Sequence, residues 1–365
     1  MLSKSNEVLL NNNVDKNVQR IFYPLNFTQK LFFSSKYKIS DNFITPNSLK
    51  FNIACFCGVF TVVALFICRM VMTKSQSNIG SGTSKLFYFI TLYALYFYCC
   101  GYLLIFIQNV VFANSNVSLV LIIQSIYKSV NFSKKKLITF IVLSWISVIT
   151  TLSIGGFLFV YCYLFLNNYG IVNLITGFSL LTFDMNMVYG IRVMVLIRVL
   201  LVSWIEEFTA GNHEPKNWDE LFAAYKNILK AFTLYKKLYQ ILFHAVDTFF
   251  RALGFVQTAL EVSKLWSQEL MNVSILDNLS GHTVLECGKF YRYIEEADYA
   301  CIVNLFETFV SDTKKRVCKN LMRLKKVSFG KMTACGMFDV DVSLPVATIE
   351  LVTNYTIVLL QFAFL

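Results

Sequence analysis

Long apolar runs separated by short charged links organise the whole chain. Residues 51–72, 86–108, 137–166 and 171–204 are apolar on every helical face. Each is about 20 residues or longer, the length that carries a helix across a bilayer. The run 344–365 has the same character. Residues 238–262 read as another span in spite of His244, Asp247 and Arg251. Residues 271–294 form the weakest span, because Asp277, His282, Glu286, Lys289 and Arg292 all fall inside it. None of the runs shows the alternation of a barrel strand, and only helices or closed barrels satisfy the backbone in lipid. The pattern predicts an all-α polytopic membrane protein with seven transmembrane helices.

The links set the orientation. Seven Lys or Arg precede Phe51, four lie in the link 109–136, and five lie in the link 205–237. A further basic cluster, KKRVCKNLMRLKK, begins at Lys314. The alternate links are nearly bare, with two basic residues between Met72 and Lys85 and none in NNYG. The N-terminus is therefore expected in the cytoplasm and the C-terminus outside. The weak sixth span is needed to keep the Lys314 cluster inside, and it persists if its polar face looks into the bundle. The expected organisation is a cytoplasmic segment 1–50, helices one to four over 51–204, and a cytoplasmic helical segment 205–237. Helices five and six follow over 238–294, then a cytoplasmic segment 295–343 and helix seven over 344–365.

Composition agrees with this picture. The 365 residues are 56% hydrophobic and only 15% charged, where a soluble domain has about 25% charged residues. The ten cysteines do not form an extracellular framework, since Cys55, Cys57, Cys68, Cys99, Cys100 and Cys162 sit inside apolar runs. No zinc-type spacing occurs, and the polar first 50 residues are not a cleavable signal. Asp184, Asp247 and Asp277 lack any motif of an intramembrane hydrolase, and no internal duplication points to a transporter. The chain reads as neither an enzyme nor a nucleic-acid binder, with no cofactor and no metal.

The last span has a distinctive face. Asp339, Asp341 and Ser343 precede Leu344-Pro345, a helix-start signature. Advancing 100° per residue places Ser343, Ala347, Glu350, Asn354, Ile357 and Gln361 on one stripe. One such helix encloses nothing, but several around an axis form a water path. A ring of Glu350 carboxylates favours cations there. Ile357 or Val358 supplies a hydrophobic constriction with Gln361 beside it. Packing against another helix is the alternative use of such a stripe.

The tail Asn354-Tyr355, five apolar residues, then Gln361-Phe362 resembles the insect chemoreceptor signature TYhhhhhQF. It departs only at its first residue, where Asn354 replaces threonine. The stretch containing SFGKM and ACGMF, and the early segment FYPLNFTQKLFFSSKYKISDNFITPN, are similar to insect gustatory receptors. The resemblance is close at both ends and covers the middle by hydropathy. It implies a ligand-gated, non-selective cation channel in the plasma membrane of a sensory dendrite, a homo- or hetero-tetramer whose seventh helices line the pore. It also implies a cytoplasmic anchor from the extensions of helices four to seven, and a tastant pocket opening outward. Tyr355, Gln361 and Phe362 hold the signature positions. The polar sixth span is a departure from the family pattern.

Given the orientation, outer-half residues with polar tips are the pocket candidates: Tyr88, Tyr93, Tyr163, Asp184, Asn186, Gln257 and Trp266. Asp184 is the sharpest, because an intramembrane carboxylate needs a partner or water. Arg192, eight residues on, reads as roughly cofacial and as its structural partner. Asn272 is the candidate glycosylation site. The alternatives are an odorant receptor or co-receptor of the same superfamily, or a G-protein-coupled seven-helix receptor, which the charge distribution opposes.

Overall fold

The computed structural model describes residues 12–77, 82–165, 171–210, 218–260, 268–307, 310–334 and 338–340. They are almost entirely helical. Helix α1 (Lys16–Leu31) starts where the Asp15 carboxylate accepts from the Asn17 N–H at 2.8 Å, a side-chain cap. A short hairpin follows, β1 (Lys38–Ser40) paired antiparallel with β2 (Phe43–Thr45). Its turn residues Asp41 and Asn42 take φ of 52° and 66°, the left-handed region that two-residue hairpin turns require.

Six helices then build the bundle: α2 (Leu49–Ser77), α3 (Gly82–Val111), α4 (Ala113–Ser129), α5 (Lys134–Phe165), α6 (Ile171–Ala210) and α7 (Trp218–Leu260). Helix α8 (Gln268–Phe306) and the basic α9 (Asp312–Ser328) complete it. A two-residue hairpin, β3 (Thr333–Ala334) with β4 (Phe338–Asp339), follows α9. The four long apolar runs read from the sequence lie within α2, α3, α5 and α6. The fifth and sixth runs are helical along the described parts of α7 and α8. The expected seventh span, 344–365, lies outside the described residues.

Helix α6 is the axis. Every residue from 181 to 197 is buried, as expected of a helix that is apolar all round. In an 18-residue apolar window of its span Leu181–Ala210, 83% of the residues are buried, against 22% in the matching windows of Leu49–Met72 in α2 and Lys134–Phe157 in α5. The last two therefore leave apolar surface on the outside of the bundle, suited to lipid, and Ile138, Val142, Ile146, Ile149 and Phe157 stand exposed along α5. Among the described residues these three helices are long and apolar enough to cross a membrane. The pair Leu95–Val111 and Ala113–Ser129 passes the same length and composition test only when taken together, across a bend of 66°.

Most of the link 109–136 is helical. Helix α4 occupies most of it and packs along α7 through Val117, Val120, Ile123 and Ile126. At 17 residues it is too short to read as a span, and its apolar stripe finds α7 instead of lipid. Helix α7 runs unbroken for 43 residues, roughly 65 Å. It joins the expected cytoplasmic segment to the fifth span as one rod. At its start the Trp204 indole donates to the Leu221 carbonyl at 2.8 Å and its ring lies 4.8 Å from that of Tyr225. Burial holds the Tyr225 phenol above its ordinary pKa. Lys314 of α9 sits over the rings of Phe208 and Trp218, 5.5 and 5.3 Å away. Aromatic bodies thus clamp the ends of α6, α7 and α9 together.

The same end of the bundle collects the basic helix termini. In the first turn of α5, Lys136 donates to the Ser203 hydroxyl at 3.1 Å and to Glu206 at 2.5 Å. Excess lysine and arginine mark this end as cytoplasmic.

Candidate functional site

The connector after α1 dips into the bundle and delivers a cation to its interior. Gln29 donates to the Met185 carbonyl at 3.1 Å, and the Ser34 hydroxyl donates to Gln29 Oε1 at 2.6 Å. Two residues later Lys36 is 6% exposed. Its ammonium donates to Asn109 Oδ1 on α3 and to Asn186 Oδ1 on α6, both at 3.1 Å. It also lies 5.3 Å over the Tyr189 ring and 5.6 Å over the Tyr239 ring of α7, a cation–π arrangement. Both amides are used twice: Asn109 donates to Ser34 O and Asn186 donates to Thr182 O, each at 2.8 Å. The Tyr37 and Tyr189 hydroxyls share a hydrogen bond of 3.0 Å. The N-terminal segment is therefore stitched to three helices at one point.

On the next turn of α6, Phe183 fills the interface with α3. Its ring lies 5.8 Å from Phe97, 5.5 Å from Tyr98 and 6.4 Å from Tyr102. Gly101 lets it approach that closely. The Tyr102 and Thr182 hydroxyls are hydrogen-bonded beside it.

Asp184 points elsewhere. It is 6% exposed and makes no hydrogen bond or ion pair among the described residues. Around the helix axis it lies about 60° from Leu181, which meets Gly155 of α5, and about 40° from Arg198, which meets α8. The carboxylate therefore lies off the face of α6 that carries Phe183 and the Lys36 contacts. Arg192 is not its partner, contrary to the sequence reading. Eight residues advance the helix by about 80°, and the guanidinium turns to α5. There it donates to Ser144 Oγ and Phe140 O at 3.1 Å and covers the Phe140 ring at 4.5 Å.

The described polar side chains of span 271–294 are sorted by face. The Glu286 side chain, 3% exposed, accepts from Arg198 Nε and from Lys289 Nζ, each at 2.8 Å. His282 stays exposed. The intramembrane carboxylate thus looks at α6, and its charge is compensated there.

Of the other sequence-derived candidates, Tyr93 is exposed and Asn186 belongs to the Lys36 network. Tyr88, Tyr163, Gln257 and Asn272 fall on α3, α5, α7 and α8, with their side chains outside the described residues. Trp266, Glu350, Asn354, Tyr355, Ile357, Val358, Gln361 and Phe362 lie outside the described residues. Sequence reasoning missed Lys36, Asn109, Tyr189 and Tyr239. The only local signal was an isolated lysine between Ser35 and Tyr37, and its partners Asn109 and Asn186 are 73 and 150 residues away.

No protein-family model and no curated protein matches the sequence. Solved structures do match. The chain is similar to the insect olfactory receptor OR5 from Machilis hrabei with a TM-score of 0.65 at 11% identity, over 94% of this chain and 97% of that one. The same receptor in complex with eugenol gives a TM-score of 0.64 at 13% identity, with the same coverage. At such identity the likeness shows a shared fold.

Proposed function

We propose that this chain is a subunit of an insect chemoreceptor channel, a gustatory receptor in which a small-molecule tastant gates a non-selective cation path. The observation that carries this reading is a fold shared over nearly the full length of both chains with an insect olfactory receptor. The Tyr355, Gln361 and Phe362 signature and the SFGKM and ACGMF stretches favour the gustatory branch. The eugenol complex of the structural relative favours an odorant-receptor reading, and a panel holding both volatile and contact chemicals separates the two. In the proposed assembly four copies, identical or mixed, surround an axis in the plasma membrane of a sensory dendrite. Residues 344–365 of each copy line the path. Segments 205–237 and 295–343 form the cytoplasmic anchor that holds the copies together.

The test is expression in a cell without such receptors, with currents recorded across that panel. Alanine at Glu350, Asn354 or Gln361 is expected to change permeation or open probability. Untouched conductance and gating in all three would remove the pore assignment. A tag placed after Leu365 should stain unpermeabilised cells, and staining only after permeabilisation would reverse the topology.

The tastant pocket is proposed around Asp184, with Tyr88, Tyr93, Tyr163, Gln257 and Trp266 as further liners. A buried carboxylate with no partner among the described residues is suited to a ligand that brings a hydrogen-bond donor. Charge-assisted hydrogen bonds contribute about 1.5–3 kcal/mol. Asp184→Asn should therefore raise the half-maximal concentration of the activating compound by about tenfold or more, with surface delivery unchanged. An unaltered dose–response curve would take Asp184 out of the pocket.

A further inference from the structure

The cytoplasmic halves of α6 and α8 enclose an open groove of about 380 Å³ lined by Arg198, Lys289, Arg292, Tyr293 and Glu296. Three features of this groove go together. The first is charge. Glu286 beneath it accepts from both Arg198 and Lys289, so one carboxylate answers two cations. Arg292 is exposed and has no ion pair among the described residues. Glu296 is the one acidic side chain in the lining, so three cations face two carboxylates around the groove.

The second feature is depth. Arg198 precedes Ser203 by five residues, roughly 8 Å along the axis. Ser203 is level with Lys136 in the first turn of α5, and the lipid-facing residues of α5 begin at Ile138. Arg198 thus stands at the inner edge of the hydrocarbon. Glu296 lies ten residues beyond Glu286 toward the cytoplasm, roughly 15 Å. The groove occupies the layer where phospholipid headgroups lie, since the polar zones add several Å to each side of a core of about 30 Å. The third feature is donor geometry. Two guanidinium groups, an ammonium and the Tyr293 phenol supply forked and single donors suited to phosphate oxygens.

We infer that this groove binds the phosphorylated headgroup of an anionic phospholipid of the inner leaflet, a phosphoinositide by the number of donors that face it. Such a lipid bridges α6 and α8 with its acyl chains directed along the apolar flank. A soluble phosphate ester has the same recognition chemistry but no reason to meet a site whose rim touches hydrocarbon. The inference rests on the membrane fold and is independent of which compound opens the channel.

The test uses the full-length protein in phosphatidylcholine nanodiscs, titrated with a fluorescent phosphatidylinositol bisphosphate. Each basic side chain near an anionic lipid is worth about fivefold in affinity. Arg292→Ala is therefore expected to weaken binding about fivefold, and Arg292→Ala with Lys289→Ala about twenty-five-fold. Both positions keep the Arg198–Glu286 pair, and an unchanged elution profile shows that the variants fold. Affinity unaltered by the double variant would overturn the proposal. Soluble inositol trisphosphate competing as strongly as the lipid would overturn the lipid assignment in favour of a free phosphate. Loss of the assembled oligomer in Arg292→Glu at constant lipid affinity would assign the groove to a neighbouring copy of the chain.

Discussion

Reversal of the charge at Lys36 is expected to leave little protein folded or delivered to the cell surface. The residue is 6% exposed and faces two amide oxygens and the faces of two tyrosine rings. Lys36→Glu places an anion against four electron-rich groups, in a position that water does not reach. Stranded buried charges of this kind cost about 3–5 kcal/mol, a large share of the 5–15 kcal/mol that typically holds a domain together. Lys36→Met is the instructive control. It leaves Asn109 Oδ1 and Asn186 Oδ1 without their donor, at about 1–3 kcal/mol each. It also removes the desolvation penalty of a buried ammonium, so its net effect is smaller. Surface biotinylation and fluorescence-detected size exclusion measure both. Equal surface levels for wild type and Lys36→Glu would show that the contact is not part of the folded bundle.

A second large effect is expected at Gly101. A Cβ built there overlaps the ring of Phe183. That ring cannot retreat, because Phe97, Tyr98 and Tyr102 surround it. Alanine in place of a helical glycine gains about 1 kcal/mol of helix propensity, but overpacking a core typically costs 1–3 kcal/mol or more. For Gly101→Val, whose β-branch adds two further methyl groups, the steric term wins. The melting temperature should fall on the order of 5 °C, with loss of the α3–α6 contact. Trimming the obstacle in Phe183→Leu should recover part of the loss in the double variant. If valine is tolerated with an unchanged melting temperature, α3 and α6 are not packed in this register.

The two variants lie on one contact surface seen from either side. Gly101 sets how closely α3 approaches α6, and Lys36 fixes the N-terminal segment to the same pair of helices and to α7. Asp184 is on another face of α6 and makes no hydrogen bond to that network among the described residues. The proposed ligand position can therefore vary without disturbing the packing that holds the bundle, whereas Asn186, two residues away, cannot. This contrast separates two polar residues that look equivalent in the sequence FDMNMVYG.

Hydropathy alone located α2, α3, α5 and α6, because burial in lipid is additive along a helix and needs no knowledge of neighbours. The distribution of lysine and arginine likewise indicated which end faces the cytoplasm. Pairing was not legible, because it depends on residues far apart in the chain. A stripe too short to cross a membrane became α4 once α7 offered it an apolar face. A span that looked too polar fits because Glu286 turns toward Arg198. Asp184 and Arg192 part company because about 80° of helical rotation separates them and turns the guanidinium to α5. The sequence by itself determined a helical membrane bundle and its orientation. Only the tertiary structure decided which buried charges are held and by what, since the energy of a buried charge is set by whatever lies within a few ångströms of it.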